Sequence, residues 1–158
     1  MKKIRRNIFE TNSSSVHAIA ITTNNNIEIP KDLPPIIELG TTVDFGWEID
    51  RYNDFPSKLQ YLYNACESCE TYKPKLDAFL SEVGIEMVDY APGYVDHGYN
   101  TADFLEFVFS DIDNFKRFLF SPNSFIQTGN DNGCMEEVDE VEEQYSSDPG
   151  YDVFFKGN

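Results

Sequence analysis

Val16-His17-Ala18-Ile19-Ala20-Ile21-Thr22 is the stretch on which the fold turns. Successive side chains of a strand point to opposite faces, so His17, Ile19 and Ile21 share one face and Val16, Ala18 and Ala20 the other. Both faces are mostly apolar, the pattern of a central strand. Thr23-Asn24-Asn25-Asn26 follows as a turn, since Asn tolerates left-handed backbone and bonds its own main chain. Residues 27–29 read as a short strand. Pro30, Pro34 and Pro35 then interrupt regular structure, and residues 36–39 and 42–48 (TVDFGWE) read as two more short strands around Gly40. Helical spacing takes over at Asp54, which caps a helix with Pro56 in its first turn and Leu59, Leu62, Tyr63 and Cys66 along one side. A second helix is predicted over 74–83, where Leu76, Phe79, Leu80 and Val83 repeat the spacing and Gly84 ends it.

A strand over 85–90 and a polar loop from Ala91 to Asn100 come next. Thr101 caps a run of apolar residues that divides into two short helices near 110–113, with Asp111 or Asp113 capping the second. Residues 124–128 (SFIQT) and 151–155 supply the last strands, and Gly129-Asn130-Asp131-Asn132-Gly133 is turn chemistry. This order of strands, helices, strand, helices and strands predicts a single α+β domain over 1–158, with a mixed or largely antiparallel sheet and about four helices packed on it. Its acidic segment at 129–150 leaves two states open. Val138, Val141 and Tyr145 keep helical spacing, so a short amphipathic helix competes with an extended mobile loop.

The chain has 158 residues, 41% of them hydrophobic and 15% aromatic, enough for one filled core without a disulfide or metal staple. Its 28 acids against 12 bases give a net charge of −16, which argues against binding to a nucleic-acid backbone or an anionic membrane. The charge is unevenly placed. Lys2, Lys3, Arg5 and Arg6 hold four of the twelve bases, so the remainder carries 28 acids and 8 bases, a net of −20. Nine acids lie between Lys75 and Lys116 with no base among them, and nine more lie between Arg117 and Lys156. Such a surface either keeps a small protein soluble or meets a cationic groove.

Residues 1–7 begin like a basic leader, but the Ile8-Phe9-Glu10-Thr11 that follows has no apolar core, and no 18-residue apolar run occurs later. Neither secretion by that route nor a membrane span is expected. Three cysteines, Cys66, Cys69 and Cys134, fit a reducing cytoplasm better than a disulfide framework. Cys66-Glu67-Ser68-Cys69 is a C-x-x-C, but it lacks the second pair of a zinc module and falls at the end of a helix rather than its start. Asp131-Asn132-Gly133 lacks the spacing of a calcium loop. With no P-loop, dinucleotide fingerprint, nucleophile elbow or HExxH either, neither a cofactor nor a metal is expected.

Thr11, Asn12, Ser13 and Ser14 lead into Ser15 and the central strand, and could form a nest of backbone N–H groups and hydroxyls for a phosphate or carboxylate. The candidate catalytic residues are Ser15, His17, Asp96 and His97. Ser15 and His17 point to one strand face about 7 Å apart, far for a direct bond. His17 and His97, if the fold brought them together, would make an acid–base pair. The same residues also suit a hydroxyl-rich structural turn with one hydrogen-bonded strand histidine. The opening R-x-x-F-E-T-N-S-S-S-x-H, Arg6 through His17, resembles the start of a group of uncharacterised proteins from bacteriophages and Gram-positive bacteria. The stretch from Phe118-Leu119-Phe120 to Asn130-Asp131-Asn132 is similar to the same group. That resemblance implies a phage or mobile-element setting, and supplies no mechanism.

Two functional expectations follow. The first is a phage-type acidic binding protein in the host cytoplasm that occupies the basic surface of a host nuclease or CRISPR effector, as a nucleic-acid mimic or anti-CRISPR inhibitor. Its partner-binding residues would be Asp96, Asp103, Glu106 and Asp111, with Glu136, Glu137, Asp139, Glu140, Glu142 and Glu143. The second is a small enzyme or ligand-binding protein acting on a nucleotide or phosphoester through residues 11–15, His17 and His97. A virion or accessory protein whose acidity serves solubility alone is the plain alternative.

Overall fold

The computed structural model describes residues 15–40, 43–46, 48–96, 98–131 and 135–156. Strand β1 (Ser15–Thr22) is paired on both sides, antiparallel to β5 (Phe125–Asn130) and to β6 (Tyr151–Lys156). A three-residue edge strand, β3 (Asp50–Tyr52), adds antiparallel to β5, giving the order β3-β5-β1-β6. The two apolar faces of β1 are thus those of a strand with neighbours on both edges and layers on both faces. Ile19 and Ile21 enter the large core, while Ala18 and Ala20 enter a smaller one with Phe125, Val138 and Val141.

The large core lies under four helices. Helix α1 (Phe55–Ser68) is capped by the Asp54 carboxylate, which accepts from the Ser57 N–H at 2.9 Å, and has Pro56 in its first turn. Helices α2 (Lys73–Glu82), α3 (Ala102–Val108) and α4 (Ile112–Phe120) complete the layer, and Asp111 caps α4 through the Asp113 N–H at 2.7 Å. Edge-to-face rings fill it, with Phe104 meeting Tyr61, Phe118 and Phe154. Buried Lys58 on α1 donates to the carbonyls of Ser121, the C-cap of α4, at 2.6 Å and of Ser124 at 3.2 Å. A cation there satisfies the C-cap carbonyl of α4 and ties it to the carbonyl that precedes β5.

Among the described residues, helix α5 (Glu136–Tyr145) is the one helix that covers the opposite face, over β1, β5 and β6. The fold is therefore α+β with an antiparallel four-stranded sheet between a four-helix layer and a single helix. The described part of the acidic segment takes the helical form, because Val138 and Val141 reach buried sites at i and i+3.

Other details depart from the expected pattern. The described residues of 27–29 form no strand. Of those in 42–48, only Phe45 pairs, in an isolated parallel bridge to Val95. Strand β5 runs on through Gly129 and Asn130, which had read as turn. Short strands β2 (Ile36–Glu38) and β4 (Met87–Asp89) form a separate parallel pair. No helix of the described residues is long and apolar enough to cross a membrane.

Candidate functional site

The N-terminal end of β1 places Ser15 and His17 on the four-helix face, opposite Asn130, Thr128 and Lys156 of the flanking strands. His17 is fully buried. Its Nε2 lies 2.8 Å from the carbonyl of Gly46, which can only accept, so Nε2 carries the proton. Nδ1 then accepts from the Tyr61 hydroxyl at 3.0 Å. Burial, reinforced by the Lys156 ammonium, lowers its pKa to about 4, so the ring is neutral near pH 7. Both nitrogens are engaged with protein groups, and an acid–base role would require one bond to break and the ring to reach solvent.

Ser15 is equally buried. Lys156 donates to its carbonyl at 2.8 Å and bonds its hydroxyl. Desolvation lowers the Lys156 pKa to about 8, against the opposing pull of Asp96. The Ser15 N–H and hydroxyl both donate to Asp96, to its carboxylate and its carbonyl, at 3.4 Å. Asp96 is carried there by a loop docked on residues 43–46 through the Phe45 and Val95 bridge, with Phe45 N–H donating to Tyr94 and Asp96 N–H to Phe45. Gly93 makes that approach possible, since a Cβ there would stand 2.6 Å from the Val43 carbonyl.

The structure thus brings Ser15, His17 and Asp96 together with Lys156 and Tyr61, two residues the sequence reading did not single out. No local pattern marks the contact of Lys156 with Ser15, which lies 141 residues away. Thr11, Asn12, Ser13, Ser14 and His97 lie outside the described residues. What the described residues form here is a sealed polar knot pinning β1 to β6 and to the loop carrying Asp96.

The acidic candidates separate by layer. Asp103 and Glu106 are exposed on α3, on the four-helix side, and Asp111 is spent on the α4 cap. Glu136, Asp139, Glu140, Glu142 and Glu143 are exposed on α5 and Glu137 is half-buried, all on the other side of the sheet. One flat partner surface cannot meet both sets. Glu136, Asp139, Glu140 and Glu143 line one shallow depression. Six carboxylates in this 10-residue helix, about 15 Å long, give one charge per about 2.5 Å, close to the one per about 1.7 Å of duplex DNA.

Compared with protein-family models, curated proteins and solved structures, the chain matches none. The remaining motif is C-x-x-C. Cys66 is buried on α1 with its thiol pushed up to about 12 by desolvation, which makes it a poor nucleophile, and half-buried Cys69 caps the helix. Cys134 lies outside the described residues, and among those described no cluster of three or more His, Cys, Asp or Glu side chains could hold a metal ion.

Proposed function

We propose that the protein is an acidic binding protein whose α5 face occupies a basic, nucleic-acid-handling surface of another protein. The observation that supports this most is the build of α5. Its two buried residues, Val138 and Val141, fix the helix to the sheet, and five of its six carboxylates are exposed, with no lysine or arginine in the sequence between Arg117 and Lys156. Glu136, Glu137 and Asp139 suit the first turn of the helix, where the dipole favours negative charge, but helix stability does not account for the rest. Glu136 with Glu140 and Asp139 with Glu143 are like-charge pairs at i,i+4, each costing about 0.2–0.5 kcal/mol, and Glu142 and Glu143 oppose the dipole in the last turn. A cationic partner relieves both.

In the phage setting that the opening motif implies, the partner is a host nuclease or a CRISPR effector, and the protein competes with DNA or RNA for its groove. The test is recovery from a host lysate, with the wild-type protein and the Glu136→Lys, Glu137→Lys, Glu140→Lys, Glu143→Lys variant as paired baits. A nucleic-acid-handling protein held by the first and lost with the second is the expected result. The same proteins held equally by both would overturn the proposal.

A further inference from the structure

On the α5 side of the sheet, where edge strand β3 emerges beyond the helix, a cavity of about 180 Å³ is lined by Arg51, Asn53, Asn123, Phe125, Tyr145 and Tyr151 among others. The chain has 28 acids to 12 bases, yet no carboxylate lines this cavity and one guanidinium does.

Arg51 is held in place. Gln127, opposite it in the β3–β5 register, donates its amide to the carbonyls of Asp50 and Thr128, both at 3.0 Å, which turns its oxygen outward. That oxygen accepts from Arg51 Nε at 2.9 Å. The guanidinium carbon lies 4.4 Å from the centre of the Phe125 ring. Phe125 is itself wedged edge-to-face by Tyr145, and Tyr145 by Tyr151. One edge and one face of the guanidinium are thus occupied, and its two terminal nitrogens bond nothing among the described residues. A planar fork held by its Nε and its face, with the paired terminal donors open, is the geometry that takes an oxyanion in bidentate fashion. The amides of Asn53 and Asn123 and the tyrosine hydroxyls offer neutral donors beside it.

We propose that this cavity recognises a single oxyanion group, a phosphate monoester or a carboxylate, carried on a larger molecule. Its volume is below the roughly 300–1,000 Å³ of sites that enclose a whole ligand, so one group enters and the remainder stays outside. The site stands on β3 and the aromatic cluster and does not depend on the charge of α5.

The test is a titration of the full chain with methyl phosphate and with acetate, at ionic strength matched with chloride, followed by NMR of the Arg51 side chain and the Tyr145 and Tyr151 rings. A saturable shift with one or both oxyanions, in the millimolar range a single group reaches, is expected. Arg51→Gln should weaken it about tenfold or more, with Arg51→Lys in between because it keeps the charge and loses the fork. The tighter of the two oxyanions names the source, phosphate ester or carboxylate. No saturable shift with either, the same shift with chloride, or an unchanged affinity in Arg51→Gln would overturn the proposal. Arg51 is exposed, so unchanged thermal unfolding of both variants separates loss of the site from loss of the fold.

Discussion

At the residue scale His17 is the most informative side chain. A proton binds it near pH 6.5 in the unfolded chain and only near pH 4 in the folded protein, so between those values the unfolded state holds more protons. The full stability of the neutral, doubly bonded ring is present above pH 6.5 and is lost as pH falls toward 4, to the extent of about 3 kcal/mol. Urea unfolding at pH 7 and at pH 4.5 should show that fall in the wild type. The His17→Gln variant, which cannot titrate there, should show less of it, and equal slopes would contradict the buried neutral assignment. Gly93 governs the same knot from the other side. Gly93→Ala should destabilise by about 1–3 kcal/mol, because the added carbon meets the backbone carbonyl of Val43 rather than a movable side chain.

At the element scale α5 separates stability from binding. Val141→Ala should cost about 2–3 kcal/mol in chemical unfolding, as lost methyl groups and a cavity between helix and sheet. Glu140→Lys should leave stability unchanged or raise it by about 0.5 kcal/mol, since it turns like-charge pairs with Glu136 and Glu143 into attractive ones. Elements with local signals were legible in the sequence. The two apolar faces of β1 and the Asp54 cap of α1 depend on residues within one turn or strand, whereas the choice of Asp111 over Asp113 as the cap of α4, and of helix over loop at Val138 and Val141, was left open by the sequence and is decided in the fold. Strand β3 was not legible, because Asp50-Arg51-Tyr52 has no strand composition. It is a strand because the Asp50 N–H donates to the Thr128 hydroxyl at 3.2 Å and the Gln127 amide bonds the Asp50 carbonyl. The expected strand over 42–48 has the composition, but Phe45 finds its bridge to Val95 instead of a sheet edge. The site shows the same division. Ser15, His17 and Asp96 stood out by type, whereas Lys156, Tyr61 and Arg51 acquire their roles from partners 44 or more residues away.

At the scale of the whole molecule, the net charge of −16 resolves into surfaces on different faces of one sheet. Self-repulsion of that size weakens the compact state, so the melting temperature should rise with added salt, while binding through the α5 carboxylates should fall. The opposite response of stability and binding to the same ions distinguishes an acidic interface from acidity that serves solubility alone. The most direct measurement is the slope of log affinity against log salt for the complex with the recovered partner, with wild-type protein and with the Glu136, Glu137, Glu140 and Glu143 lysine variant. A steep slope for the wild type, weak residual binding by the variant, and displacement of the wild type by duplex DNA are the result expected here. A flat slope, or equal affinity for the two proteins, would contradict the account.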